Sequence, residues 1–147
     1  MRYSIEEASE FSDDLHQAVS QLLPQLVGFP KTIEASELRD IIKGPHTLLL
    51  VAKQEDSFVI VGMLTLVIYR IPTGTRAWIE DVVVSQAARG QGVGMALTDY
   101  AKQKAGDLGA DMIDLTSNPA RESANRLYQR AGFNIRETNV YRLNISQ

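Results

Sequence analysis

Arg89-Gly90-Gln91-Gly92-Val93-Gly94 sets three glycines on alternate positions beside one permanent cation. Val82, Val83 and Val84 precede the run, and three β-branched residues in a row read as a buried strand. After it, Val93, Leu97, Tyr100 or Ala101, Ala105 and Leu108 recur at helical spacing. A strand that feeds a glycine-rich turn into a helix start gathers backbone N–H groups with no intrahelical acceptor. The positive end of the helix dipole lies at the same point, and Arg89 adds a formal charge. Phosphate oxygens suit such a place. Glycine lets the backbone approach an anion that a Cβ would hold away.

Three receptors share this plan. A P-loop needs Lys followed by Ser or Thr after its last glycine, and Met95 and Ala96 stand there instead. A dinucleotide fingerprint needs a third small residue, where Val93 and Leu97 stand, although Asp114 falls about 20 residues on, where a ribose-binding acid belongs. Too little chain follows for a doubly wound sheet. A glycine-rich surface loop that binds nothing is the plainest alternative. Two further groups could move protons. Glu80 and Asp81 stand at the head of the valine strand, where strict alternation puts Glu80 on the face of Val82 and Val84, and Asp81 on the other. Tyr128 carries a phenol that stays protonated at neutral pH and can donate.

The third receptor has a second block in its favour. Arg89-x-x-Gly92-x-Gly94 resembles the pyrophosphate-binding motif of the GNAT superfamily of N-acetyltransferases, Gln or Arg-x-x-Gly-x-Gly or Ala. Ala124-Asn125-Arg126-Leu127-Tyr128-Gln129-Arg130-Ala131-Gly132-Phe133 is similar to the A-x-x-[LF]-Y-x-x-x-G-F segment of the same superfamily, at the family's spacing. The resemblance covers nearly the whole chain. It implies acetyl-CoA as co-substrate and no metal, with the diphosphate on the amides of Arg89, Gly90, Gln91, Gly92, Val93 and Gly94. The pantetheine arm would pair with the backbone of the Val82, Val83 and Val84 strand, and the Val82 N–H would face the oxyanion. Tyr128 would protonate the departing thiolate and touch the cofactor sulfur, and Glu80 would take the proton of the amine, with Asp81 or water as the other candidates. Many members carry Asn seven residues before the tyrosine. Arg121 stands there in this chain, so Arg121 and Asn125 share the expectation of a cofactor contact.

The same resemblance implies an α/β (α+β) fold: a central, mixed, twisted sheet with one splayed parallel strand pair and flanking helices. It implies direct transfer of acetyl to a primary amine of a small molecule or amino sugar. A protein or peptide N-acetyltransferase and a non-catalytic acyl-CoA-binding module remain the alternatives, and a homodimer is a common state in the family. Charge and spacing do not name the acceptor.

Composition sets outer limits. At 147 residues one domain spanning 1–147 is expected. With 15 basic and 18 acidic residues the net charge is −3, which speaks against nucleic acid as a partner. The chain has no cysteine, so disulfides and thiolate metal sites are excluded, and His16 and His46 have no companion at metal spacing. No stretch approaches the 18 or so apolar residues of a membrane span, and the first residues lack the pattern of a secretory signal; a cytoplasmic chain is expected.

Element by element, the pattern predicts strand 3–5, a helix over 7–27 bent or ended by Pro24, a short helix over 33–42, and strands over 47–53 and 58–69 joined as a hairpin. A loop over 71–75, strand 77–84, a helix closing near Gly109 and strand 112–116 follow. Asn118 and Pro119 read as the cap and first residue of a helix running to about Ala131, and 133–143 as a final strand or pair of strands.

Overall fold

The computed structural model describes residues 2–146, which cluster into two compact units divided after Thr116. The first unit carries every strand: β1 (Tyr3–Glu7), β2 (Thr47–Gln54), β3 (Ile60–Ile71), β4 (Gly74–Val84) and β5 (Met112–Asp114). They lie in the sheet in chain order, antiparallel up to β4, with β5 parallel to β4. Helices α1 (Asp13–Val27), α2 (Ala35–Lys43) and α3 (Val93–Asp107) belong to this unit, and α4 (Glu122–Arg130) to the second. A mixed sheet with flanking helices is therefore present, and the valine strand, glycine turn, helix and parallel strand fall where the sequence puts them.

Several boundaries differ, each for a local reason. Helix α1 starts at Asp13 rather than Glu7, because the Ser12 hydroxyl accepts the Leu15 amide at 3.0 Å and caps it there. Pro24 lies inside α1 without ending it; the stop is Gly28, left-handed at φ 82°. The expected loop over 71–75 contracts to Pro72 and Thr73, with β3 and β4 paired up to Ile71 and Gly74. Asn118 does not cap α4: its Oδ1 accepts the Ala120 amide in a turn, and Arg121 takes the N-cap position. Residues 133–146 form no strand, so the expected closing strand is absent from the sheet.

Alternation divides the core between two faces. Leu49, Val51, Met63 and Val83 pack with Leu15, Val19 and Leu22 of α1 and Leu38 of α2. On the other face α3 buries the stripe Val93, Leu97, Ala101 and Ala105. Gly62 permits this close approach: a Cβ there would lie 3.3 Å from both Val93 and Leu97 and 3.2 Å from the Val83 carbonyl.

One irregularity in β4 changes the expected faces. Thr65 pairs with Glu80 and Met63 with Val83, so Asp81 and Val82 together oppose Leu64. This is a bulge, and Asp81 takes the left-handed conformation at φ 51° that the extra residue requires. Thr65 and Met63 share a face, so Glu80 lies on the face of Val83 rather than that of Val82 and Val84, correcting strict alternation. A β-branched side chain tolerates positive φ poorly. Asp81→Val should therefore cost about 1–3 kcal/mol in urea unfolding, with Asp81→Gly close to neutral. Equal stability of the two variants would contradict the bulge.

Candidate functional site

The site in the first unit begins where β4 loses a neighbour. Asp111 accepts an ion pair from Arg76 at 3.1 Å, and its amide donates to the Thr75 carbonyl at 2.8 Å, fastening β5 to the start of β4. Three residue pairs follow, Arg76–Met112, Ala77–Ile113 and Trp78–Asp114, and the pairing then stops. From Ile79 to Val84 no strand adjoins β4 on that side among the described residues. The bulge falls within this stretch, and a bulge bends the strand that carries it. The parallel pair is thus pinned at one end and open at the other.

Backbone direction along the open edge follows from its bonded side. The Ser85 amide donates to the Val61 carbonyl of β3 at 2.7 Å, so the polar groups of Val84 point the opposite way. There the Val84 carbonyl accepts Arg89 Nε at 3.2 Å. Val82 shares this parity. Val83 pairs with Met63 and its side chain lies in the core, so its part is to hold the strand.

The glycine turn continues from that edge. A single 3-10 turn covers Gln86–Ala88, Gly90 and Gly92 take φ of 76° and 82°, and Gly92 is the N-cap of α3. Both glycines are required by these angles, since a Cβ on either would meet nothing within 4 Å. Among the described residues the amides of 90–95 donate to no carbonyl or side chain; the first α3 amide with a partner is Ala96, on the Gly92 carbonyl. These donors, the α3 dipole and the Arg89 guanidinium lie on one short segment. An anion with several acceptor oxygens fits them.

Two side chains that sequence reasoning missed hold this turn. Gln25 of α1 accepts the Gln86 amide on its Oε1 at 2.8 Å, and the Tyr3 phenol donates to Gln91 Oε1 at 2.6 Å. Nothing in their spacing marks them, because each acts across the fold from a different element. Gln91 therefore contributes its main chain to the turn while its side chain fastens the turn to β1.

The face that carries Glu80 is only partly covered. Thr65, Val67 and Tyr69 of β3 lie opposite Glu80, Trp78 and Arg76 of β4; Glu80 is exposed and the others are half-buried. Helices α1 and α2 seal the part of this face around Met63 and Val83 and leave the strip beyond it open. His16 is half-buried, and its Nε2 lies 2.8 Å from the Ile33 carbonyl. His46 is exposed.

The second unit brings Arg121, Asn125 and Tyr128 together on α4. The Asn125 amide nitrogen donates to the carbonyls of Asn118 and Arg121 at 2.9 and 2.8 Å, which leaves only its Oδ1 for another partner. Tyr128 packs edge-on to Phe133 with ring centroids 6.0 Å apart, and its carbonyl accepts the Phe133 amide beyond Gly132, at φ 100°. Burial pushes the Tyr128 phenol above its usual 10, and the Arg121 charge pulls it down by a smaller amount. The neutral phenol is therefore the folded-state form at neutral pH. Ser117 Oγ is buried with no hydrogen-bond partner among the described residues.

Comparisons with known proteins bear on the family and the fold. The family model described as Acetyltransferase (GNAT) family matches residues 13–133. An aminoalkylphosphonate N-acetyltransferase from Salmonella typhimurium is 36% identical over 55 residues, which is 37% of this chain and 36% of that protein, so the match spans about a third of the relative's length. The crystal structure of a transcriptional regulator from Bacillus halodurans is 30% identical, covering 97% of this chain and 100% of that one, with a TM-score of 0.82. Glucosamine-6-phosphate N-acetyltransferase from Arabidopsis thaliana, 18% identical, covers 97% and 99% with a TM-score of 0.80, a likeness of fold.

Two measurements check the site as described. Gln25→Ala should speed amide exchange across 86–92 while α3 beyond Ala96 keeps its protection; unchanged exchange in the turn would deny Gln25 its fastening role. Arg121→Gln should raise the Tyr128 phenol further, read as tyrosinate absorbance against a Tyr128→Phe chain. A fall would reverse the sign given to Arg121. With a folded-state pKa above the unfolded one, the stability that Tyr128 contributes is complete below about pH 10 and is lost as pH rises through the folded value.

Proposed function

Because the chain belongs to the GNAT acetyltransferase family, we propose that it transfers acetyl from acetyl-CoA directly to a primary amine of a small molecule or amino sugar. The observation that carries this reading is the open edge of β4 running without interruption into a turn of undonated amides. An extended chain ending in a diphosphate matches that sequence of surfaces: strand-like pairing along the edge, then an anion on the turn.

In this reading the amides of residues 90–94 hold the diphosphate, with Arg89 as the adjoining cation. Val82 and Val84 present main-chain groups to the pantetheine amides, and the Val82 N–H stabilises the tetrahedral oxyanion. The amine nitrogen attacks the thioester carbonyl carbon, the C–S bond breaks, and two proton transfers complete the exchange. Glu80 takes the proton from the amine, directly or through water. Tyr128 gives a proton to the departing thiolate, a role suited to a phenol held neutral by burial. Arg121 faces the cofactor or its substrate as a fixed charge, where relatives carry an amide.

The acceptor is assigned to the uncovered strip. Trp78 follows Glu80 on this sheet face and Tyr69, opposite Arg76, lies further along it, so that the strip offers a carboxylate and aromatic surface to an organic ammonium group. The Salmonella relative's name, an N-acetyltransferase of aminoalkylphosphonates, supports a small charged amine over a polypeptide. Catalysis rather than mere acyl-CoA binding is favoured by two separate features, a Tyr128 phenol kept protonated by burial and an exposed Glu80 on the bulged strand.

A chain without cysteine makes the test direct, since every thiol that appears comes from CoA. Thiol release from acetyl-CoA across a panel of amines, amino sugars and peptides should depend on the amine. Tyr128→Phe should lower kcat by about 10²–10⁴ with acetyl-CoA affinity nearly unchanged. Gly92→Val should weaken CoA binding instead, by strain at its positive φ and by filling the turn. CoA binding without amine-dependent release from any amine would leave the binding-module reading.

A further inference from the structure

Asp114 closes β5 and has no task in the acyl-transfer reading. It is the partner of Trp78 in the parallel ladder, so the two side chains stand next to each other on one sheet face. That face is also the face of Glu80, two residues further along β4. Asp114 is half-buried, and among the described residues its carboxylate accepts no hydrogen bond and joins no ion pair. A charge partly withdrawn from water has lost hydration that nothing in the first unit replaces.

The rest of the face does not balance that charge. Arg76 shares it, but its guanidinium is committed: Nη1 donates to Asp111 at 3.1 Å and Nη2 to the Thr73 hydroxyl at 3.2 Å. Thr47 and Leu49 of β2, Thr65, Val67 and Tyr69 of β3 and Met112 of β5 lie on the same face and carry no positive charge. The strands thus present an indole beside two carboxylates and no uncommitted cation. Such a surface selects positive charge at more than one point of a ligand.

Resting on the acyl-transfer reading above, we propose that Asp114 sets the specificity of the site for an acceptor with two cationic nitrogens. One amine meets Glu80 and reacts. The other stays an ammonium on Asp114, and the carbon chain between them lies along Trp78. Glu80 stands one pleat repeat beyond Trp78, which puts its Cα roughly 8 Å from that of Asp114, an interval that a straight diamine of about five carbons spans. An acceptor with an anionic far end meets only carboxylates on these strands, so the phosphonate in the Salmonella relative's name does not carry over to this chain.

A straight five-carbon diamine, the matching monoamine and the matching aminophosphonate separate the cases. Thiol release from acetyl-CoA should favour the diamine over the monoamine by about tenfold in kcat/KM, chiefly through KM, and place the aminophosphonate last. Asp114→Asn should erase the diamine preference, and Asp114→Lys should put the aminophosphonate ahead of the diamine. Trp78 is the only tryptophan of the chain, so its fluorescence reports occupancy without turnover. It should respond saturably to the diamine, and far more weakly in Asp114→Asn. Release from the monoamine as efficient as from the diamine, or an aminophosphonate preferred by the unaltered chain, overturns this inference and leaves acyl transfer standing. If no amine releases thiol, the acyl-transfer reading falls, and the Trp78 titration decides this one: a silent indole overturns the diamine site, and a saturable response lost in Asp114→Asn retains it.

Discussion

A helix cannot satisfy its own first amides, and in this chain the glycine turn before α3 extends that deficit backwards instead of relieving it. Gly90 and Gly92 adopt angles that leave the amides of 90–95 without an acceptor, and no side chain caps α3. A serine or aspartate at position 92 would supply such a cap, at the cost of the opening. The unmet donors are held open rather than left loose. Gln25 and Tyr3 fasten the turn to α1 and β1, and Arg89 lies back on the strand that leads into it.

The opening of β4 is the second half of the same arrangement. A parallel pair normally runs side by side, but here the Arg76–Asp111 ion pair fixes one end and the pairing lasts only to Trp78 and Asp114. Beyond that point the Asp81 bulge turns β4, and the freed edge points its main-chain groups away from β3, where the Val84 carbonyl accepts Arg89 Nε. The bulge also sets Glu80 on the uncovered side of the sheet, with Trp78, and not beneath α3. One inserted residue thus separates the edge that would hold an acyl donor from the face that would meet its acceptor.

Much of this was legible in the residues themselves. Val82 to Gly94 announced a strand, turn and helix because β-branching, glycine spacing and helical periodicity each act locally, whereas the parallel pairing of the next strand came from the family resemblance. The Ser12 cap displaced a helix start that the apolar pattern placed at Glu7, a contest between side-chain bonding and periodicity that composition does not decide. The bulge was hidden because Asp81 is not glycine, and a left-handed aspartate leaves no mark at sequence level. Gln25 and Tyr3 reach the turn from distant elements, so no spacing could have named them. The apolar alternation within 133–143 pointed to a closing strand, yet residues 133–146 form no strand, because period alone does not supply the neighbour a strand needs.

The claim that the main-chain amides of 90–94 receive a diphosphate can be observed amide by amide. In a nitrogen–proton correlation spectrum titrated with CoA, those five amides should show the largest downfield shifts in the first unit, with Val82 and Val84 moving alongside them. The 3′,5′-diphosphate of adenosine, which lacks the pyrophosphate bridge, should leave the five much less perturbed. Saturable CoA binding that leaves residues 90–94 unmoved, with the shifts elsewhere, would contradict the account.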